Sequence, residues 1–305
     1  MFVEEYLRDL RRDRFVPRAI LTYGRRLAAR VREQIYANPG AVRSVWSVAL
    51  GFFAAAFVAA VGVALLYERR LASDFFLHTA LWILLAFTLV TLYLELLRDR
   101  DGYRLSALNI PVTLTLLRVV LMPGLALFLV ERHFRAALLM YALAAVTDVA
   151  DGWVARRWRQ ITRLGAVLDP QVDIVFNLGL FFALAAARLL PHWVFWVAAA
   201  RYTLLLVGGA CLYLFVGPVR IYPTLFGRLT GVVTTALVAM LLILHAVGGH
   251  LRDRLESLTV IALGVMLSAT VIQVLALGWY NLRQMTGAAE PSRGRVVGDV
   301  RWGPP

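Results

Sequence analysis

The sequence predicts an all-α integral membrane protein with eight spans, and three observations carry that expectation. Apolar residues fill 60% of the 305 positions and mean hydropathy is +0.70, whereas an ordinary soluble domain is about 45–50% apolar. Eight apolar runs, near 44–67, 75–97, 110–130, 134–156, 165–187, 192–216, 228–248 and 257–280, each reach the roughly 20 residues that a bilayer core demands. The charge is also asymmetric: with a cytoplasmic N-terminus, 23 arginines fall in cytoplasmic segments and 7 in the opposite loops. That bias predicts a multi-pass protein of the cytoplasmic membrane with both ends inside. It accounts for the net charge of +13 without a nucleic-acid partner.

The elements follow in order. Residues 1–43 mix arginine with large apolar side chains, which suits a juxtamembrane helix lying on anionic headgroups. Asn38-Pro39-Gly40 breaks that helix. Residues 44–108 hold the first two spans and a cytoplasmic linker, and the tail, 284–305, is rich in Gly and Pro and predicts disorder. Cys211 lies in an apolar run and predicts a small buried hydrophobe. The histidines, His78, His133, His192, His245 and His250, all fall toward the non-cytoplasmic side and predict interfacial side chains.

The polar exception is "TDVADGWVARRWRQITRLGAVLDPQVDIVFN", residues 147–177. Ionisable groups inside spans are expensive and mark functional sites. Asp148, Asp151, Gly152 and Ala155 share an arc of about 100° at the end of the fourth span. After a short basic turn, Gly165, Asp169 and Asp173 recur at intervals of four, with Asn177 extending the row. Pro170 disfavours helix at Asp169, so the fifth span is expected to start close to it. The short connection makes the two helices antiparallel neighbours, so their carboxylate faces meet.

Four converging carboxylates repel one another unless cations neutralise them. Oxygen donors without His or Cys suit Mg²⁺ or Mn²⁺, and four negative charges match two divalent ions. With Arg156, Arg157, Arg159 and Arg163 nearby, the ensemble suits a phosphate or pyrophosphate substrate.

These residues resemble the signature of the CDP-alcohol phosphotransferase family, D-x₂-D-G-x₂-A-R-x₈-G-x₃-D-x₃-D, at Asp148, Asp151, Gly152, Ala155, Arg156, Gly165, Asp169 and Asp173. "NIPVTLTLLRVVLMP" (109–123) is similar to the first core helix of the phosphatidylglycerophosphate synthase branch. The resemblance implies a six-span catalytic core over 109–283, with the first two spans as additions. It implies that Asp148, Asp151, Asp169 and Asp173 hold divalent metal and that Asp173 is the catalytic base. Asn109, Thr115, Arg118, Gly152, Ala155, Arg156 and Gly165 are then expected at the CDP-lipid. A homodimer among membrane lipids is a further expectation from the family.

Departures concern the acceptor alcohol. The branch carries "DPxADK", "ARE" and "GKxKT", where this chain has Ile174 after "DPQVD", Ala200-Arg201-Tyr202, and Gly227-Arg228-Leu229-Thr230. Arg201, Arg220 and Arg228 remain as cations for an anionic acceptor. The resemblance therefore implies transfer of a phosphatidyl group from CDP-diacylglycerol to glycerol 3-phosphate, or to inositol phosphate, another polyol or phosphatidylglycerol. From another class, the acids could serve a divalent-cation transporter, sensor or non-catalytic scaffold. A transporter places its acids near the midplane, whereas these crowd one end.

Overall fold

The computed structural model describes residues 16–99, 101–209, 211, 225–249 and 251–287. The described chain is helical throughout, apart from isolated bridge pairs in the linker. A surface helix, α1 (Pro17–Ala37), is followed by α2 (Pro39–Leu66), α3 (Arg69–Leu92) and a short 3₁₀ turn, Leu94–Leu96. Then come α4 (Ile110–Val130), α5 (Phe134–Arg157), α6 (Arg163–Ala186), α7 (His192–Thr203), a π turn at Leu204–Gly208, α8 (Leu225–Val247) and α9 (Leu251–Gly287). Seven of these helices are long and apolar enough to cross a bilayer. The expected span at 192–216 is described only through α7, the π turn and a few residues beyond; its remainder lies outside the described residues.

Local chemistry explains the boundaries. Asn38 separates α1 from α2, its side chain accepting from the Ala41 N–H at 3.2 Å, with Pro39 opening the new helix. Asn109 caps α4 through the Val112 N–H at 3.3 Å, and Thr162 caps α6 through the Gly165 N–H at 3.1 Å. Both satisfy donors that a helix start leaves orphaned. α6 begins at Arg163, so Pro170 lies inside the helix rather than near its start. The expectation that the span starts near Pro170 is thereby corrected: the Thr162 cap sets the first turn, and the proline gives up one interior N–H bond. α9 runs to Gly287, past the expected end of the last span and into the expected tail.

α4 is the axis of the bundle: 61% of its apolar window is buried, against 22% to 39% for the other spans. α4, α5, α8, α9, α7 and α6 pack consecutively into a closed circuit, and α2 and α3 dock on α4 from outside. One apolar core joins the circuit through Leu125, Phe128, Phe181, Leu184, Leu241 and Leu263. A second core lies where the N-terminal pair meets α4 and α6, and includes Val45, Phe87, Leu97, Leu116 and Leu164.

Two local expectations are corrected. Cys211 is exposed, because an outward helix face in a membrane protein needs only lipid against it. His245 is buried, with Nδ1 2.9 Å from the Leu241 carbonyl and Nε2 3.5 Å from Glu256 Oε1, because α9 covers it. His250 lies outside the described residues.

Candidate active site

The acids sit at one end of the bundle, where α5 ends and α6 begins. Asp148 and Asp151 on α5 face Asp173 on α6 across one guanidinium, that of Arg118 on α4. Arg118 Nη2 lies 2.6 Å from both Asp148 Oδ1 and Asp151 Oδ2, while Nη1 donates to Asp173 Oδ1. The Arg118 side chain is 5% exposed and that of Asp151 12%, whereas Asp148 and Asp173 are 57% and 53% exposed. The cluster therefore has a buried cationic floor and an open carboxylate rim.

Thr115, one helical turn before Arg118, serves the remaining acid. Its hydroxyl is 3.0 Å from Asp169 Oδ1, 3.3 Å from Asp151 Oδ2 and 3.1 Å from the Pro111 carbonyl. A threonine carries one proton for these three acceptors, so it bridges the two helices without neutralising either acid. One arginine among four carboxylates leaves the cluster with an excess of negative charge, which further cations would offset.

Among the described residues, no three His, Cys, Asp or Glu side chains already surround a common point as a metal cage; the acids converge on Arg118 instead. The donor chemistry still fits a hard divalent ion: carboxylate oxygens only, on facing helices, with excess negative charge.

The small residues have separate explanations. A Cβ on Gly152 would stand 3.2 Å from Arg156 Nη1, so the guanidinium of Arg156 lies against this glycine. Ala155 is half-buried on the same helix. A Cβ on Gly165 would stand 3.3 Å from Thr162 Oγ1 and 3.4 Å from Val112 Cγ2, so Gly165 lets α6 approach α4. Asn109, besides capping α4, donates through Nδ2 to the Gln160 carbonyl at 2.6 Å and pins the α5–α6 turn. Asn177 donates to the Asp173 carbonyl at 2.8 Å.

The structure thus gathers Asp148, Asp151, Asp169, Asp173, Thr115 and Arg118 into one cluster, with Gly152, Ala155 and Arg156 beside it on α5. Arg201 on α7 has its guanidinium carbon 5.1 Å from the Tyr202 ring centroid, and its Nε is buried without a hydrogen-bond partner. Arg220 lies outside the described residues; Arg228 is on α8, its side chain undescribed. Two tyrosines escaped the sequence reading. Tyr202 lies within electrostatic range of Asp173 and Arg201, and Tyr141 within range of Asp148 and Tyr202. Tyr141 also donates to the Thr235 carbonyl at 3.0 Å, joining α5 to α8. The signal was available: Tyr141 precedes Asp148 by seven residues, two turns along the same face.

The sequence has relatives. A CDP-diacylglycerol–glycerol-3-phosphate 3-phosphatidyltransferase of Aquifex aeolicus is 32% identical over 129 residues, 40% of this chain and 69% of that relative. The protein of the same description from Escherichia coli K12 is 44% identical over 91 residues, 29% of this chain and 47% of that relative. A probable cardiolipin synthase (CMP-forming) of Drosophila melanogaster is 35% identical over 107 residues, 35% of this chain and 33% of that relative. The Escherichia coli and Drosophila relatives are therefore matched over less than half of their length. The family model for CDP-alcohol phosphatidyltransferase matches residues 108–289, which takes in α4 to α9 and every acid of the cluster. On that match, the chain belongs to the CDP-alcohol phosphatidyltransferase family.

Proposed function

We propose that the protein transfers a phosphatidyl group from CDP-diacylglycerol to a small alcohol, with glycerol 3-phosphate as the first acceptor, giving phosphatidylglycerophosphate and CMP. The convergence of Asp148, Asp151 and Asp173 on Arg118, with Asp169 held by Thr115, carries this reading. The acceptor oxygen forms a bond to the lipid-side phosphorus, the bond from that phosphorus to the CMP oxygen breaks, and the hydroxyl proton passes to the Asp173 carboxylate. Such chemistry is mostly positioning and charge stabilisation.

Asp148, Asp151, Asp169 and Asp173 would hold Mg²⁺ or Mn²⁺, two ions matching four carboxylates, and these ions would polarise phosphoryl oxygens and offset charge on the departing CMP. Arg118 holds Asp173 beside the α5 acids, and Thr115 orients Asp169. Arg156, lying over Gly152, would bind the nucleotide phosphates. Arg201, whose buried Nε has no hydrogen-bond partner, would bind an anionic acceptor, with Arg220 and Arg228 assisting it. The arginine bias puts this end of the bundle in the cytoplasm, where soluble acceptors are available.

A second reading has a lipid alcohol such as phosphatidylglycerol as acceptor. It is favoured by Ile174, an apolar residue packed against the core where the resemblance implies lysine, and by the similarity to the Drosophila relative. The test is to incubate the purified protein with CDP-diacylglycerol, Mg²⁺ and a panel of alcohols, following CMP and product mass. Phosphatidylglycerophosphate supports the first reading and cardiolipin the second. No CMP from any alcohol would sink both.

A further inference from the structure

The N-terminal helix pair and the linker behind it precede the 108–289 core, and the transfer chemistry assigns them no task. The linker nevertheless reaches the acid-bearing hairpin. Its two arms lie side by side: the Leu105 N–H donates to the Leu97 carbonyl at 3.0 Å, and the Asp99 N–H to the Tyr103 carbonyl at 3.0 Å. Gly102, at φ +90°, makes the turn between them, a conformation that glycine adopts without strain.

One side of this ribbon is tied to α2. Asn38 Nδ2 donates to the Leu105 carbonyl at 3.0 Å, and the Leu108 N–H donates to Ser44 Oγ at 3.0 Å. The other side is tied to α6: the Arg163 N–H donates to the Arg98 carbonyl at 3.0 Å, and Asp99 pairs with Thr162 in an antiparallel bridge. Arg163 is the first residue of α6 and Thr162 is its cap. A donor orphaned at the start of α6 is therefore satisfied by a carbonyl from outside the family core.

Packing repeats the arrangement. Leu164 and Leu168, 0% and 7% exposed, lie one turn apart and share a core with Phe87, Val90, Leu94 and Leu97 of the N-terminal unit and with Val112, Leu116 and Val120 of α4. At helical spacing their face is turned roughly 140° from that of Asp169 and Asp173. The back of α6 is thus held jointly by the N-terminal unit and α4, while its front carries the acids.

We propose that the N-terminal pair and its ribbon are the positioning element for the second half of the acid set, setting the depth and rotation of α6 and so where Asp169 and Asp173 stand relative to Asp148 and Asp151. The proposal deepens the transferase reading above and rests on it. Leu97, 1% exposed, is the positioning residue, since it carries both a ribbon hydrogen bond and the packing behind α6.

The test compares full-length Leu97→Ala with Leu97→Met, Leu97→Val and Leu71→Ala, the last an equal truncation at the far end of α3. For Leu97→Ala, kcat falls roughly tenfold while KM for CDP-diacylglycerol stays within about twofold, because misplacement of reacting groups lowers turnover more than binding. Amide exchange in the first turn of α6 rises about tenfold as its holding contacts loosen. Leu97→Met restores both values, Leu97→Val shows a smaller version of both shifts should the alanine variant not fold, and Leu71→Ala, in the other core, leaves exchange in the first turn of α6 unchanged. The proposal is overturned if the Leu97 variants exchange like wild type in the first turn of α6, or if Leu71→Ala disturbs that turn equally. If wild type releases no CMP, the transferase reading fails, and the exchange comparison still decides whether the ribbon sets α6.

Discussion

Arg118 Nη2 stands 2.6 Å from Asp151 Oδ2, joining the two most enclosed charges of the acid cluster. Arg118→Met removes the cation and leaves the carboxylates to repel one another. Breaking a buried pair costs about 3–5 kcal/mol, and the outcome here is expected near 3 kcal/mol because Asp148 and Asp173 are half open and screened. Denaturation in metal-free detergent measures the loss. Mg²⁺ is expected to stabilise the variant more than wild type, since an ion binding only the folded state shifts the equilibrium toward it. Unchanged stability of Arg118→Met would remove Arg118 as the counter-cation of the cluster.

Asp173 pairs with Arg118 and is 53% exposed on the rim of the cluster. Asparagine can still accept from Arg118 but cannot take a proton. Asp173→Asn is therefore expected to lower CMP release by about 10²–10⁴, the range that a positioned base supplies, while the protein elutes and melts as a folded species. Turnover close to wild type would move the base to another residue.

Gly124 on α4 lies against Phe75 on α3, which is 4% exposed and has no room to retreat. A methyl group there meets the ring. Gly124→Ala is expected to lower stability by about 1–3 kcal/mol through overpacking, read as a lower melting temperature in detergent. A neutral result would mean that α3 shifts freely on α4, and the docking of the N-terminal pair would be looser than the packing implies.

The pairing of Asp148 with Asp151 and of Asp169 with Asp173 was legible from spacing alone, because helical periodicity fixes which residues share a face. The helical class was legible from apolar run length, and the end of the bundle that carries the acids from their place at the junction of the fourth and fifth spans. The role of Arg118 was not. It lies 33 residues from Asp151 in sequence, and no local rule says which helix face a mid-span arginine meets. Pro170 misled by the same route: propensity argued for a helix start, but the Thr162 cap and the packing of Leu164 and Leu168 carry the helix through it. Tyr141 shares a helix face with Asp148, but its hydrogen bond to the Thr235 carbonyl joins α5 to α8 and is fixed only by the tertiary structure.

The sequence by itself determined a multi-span helical protein with four aspartates on two antiparallel helices, since periodicity and hydropathy act over a few residues at a time. Tertiary structure decided what those aspartates meet: a buried arginine and threonine from α4, and behind α6 a ribbon from outside the core. Such contacts join segments tens of residues apart. Their energies depend on packing and exclusion of solvent, which local spacing does not encode.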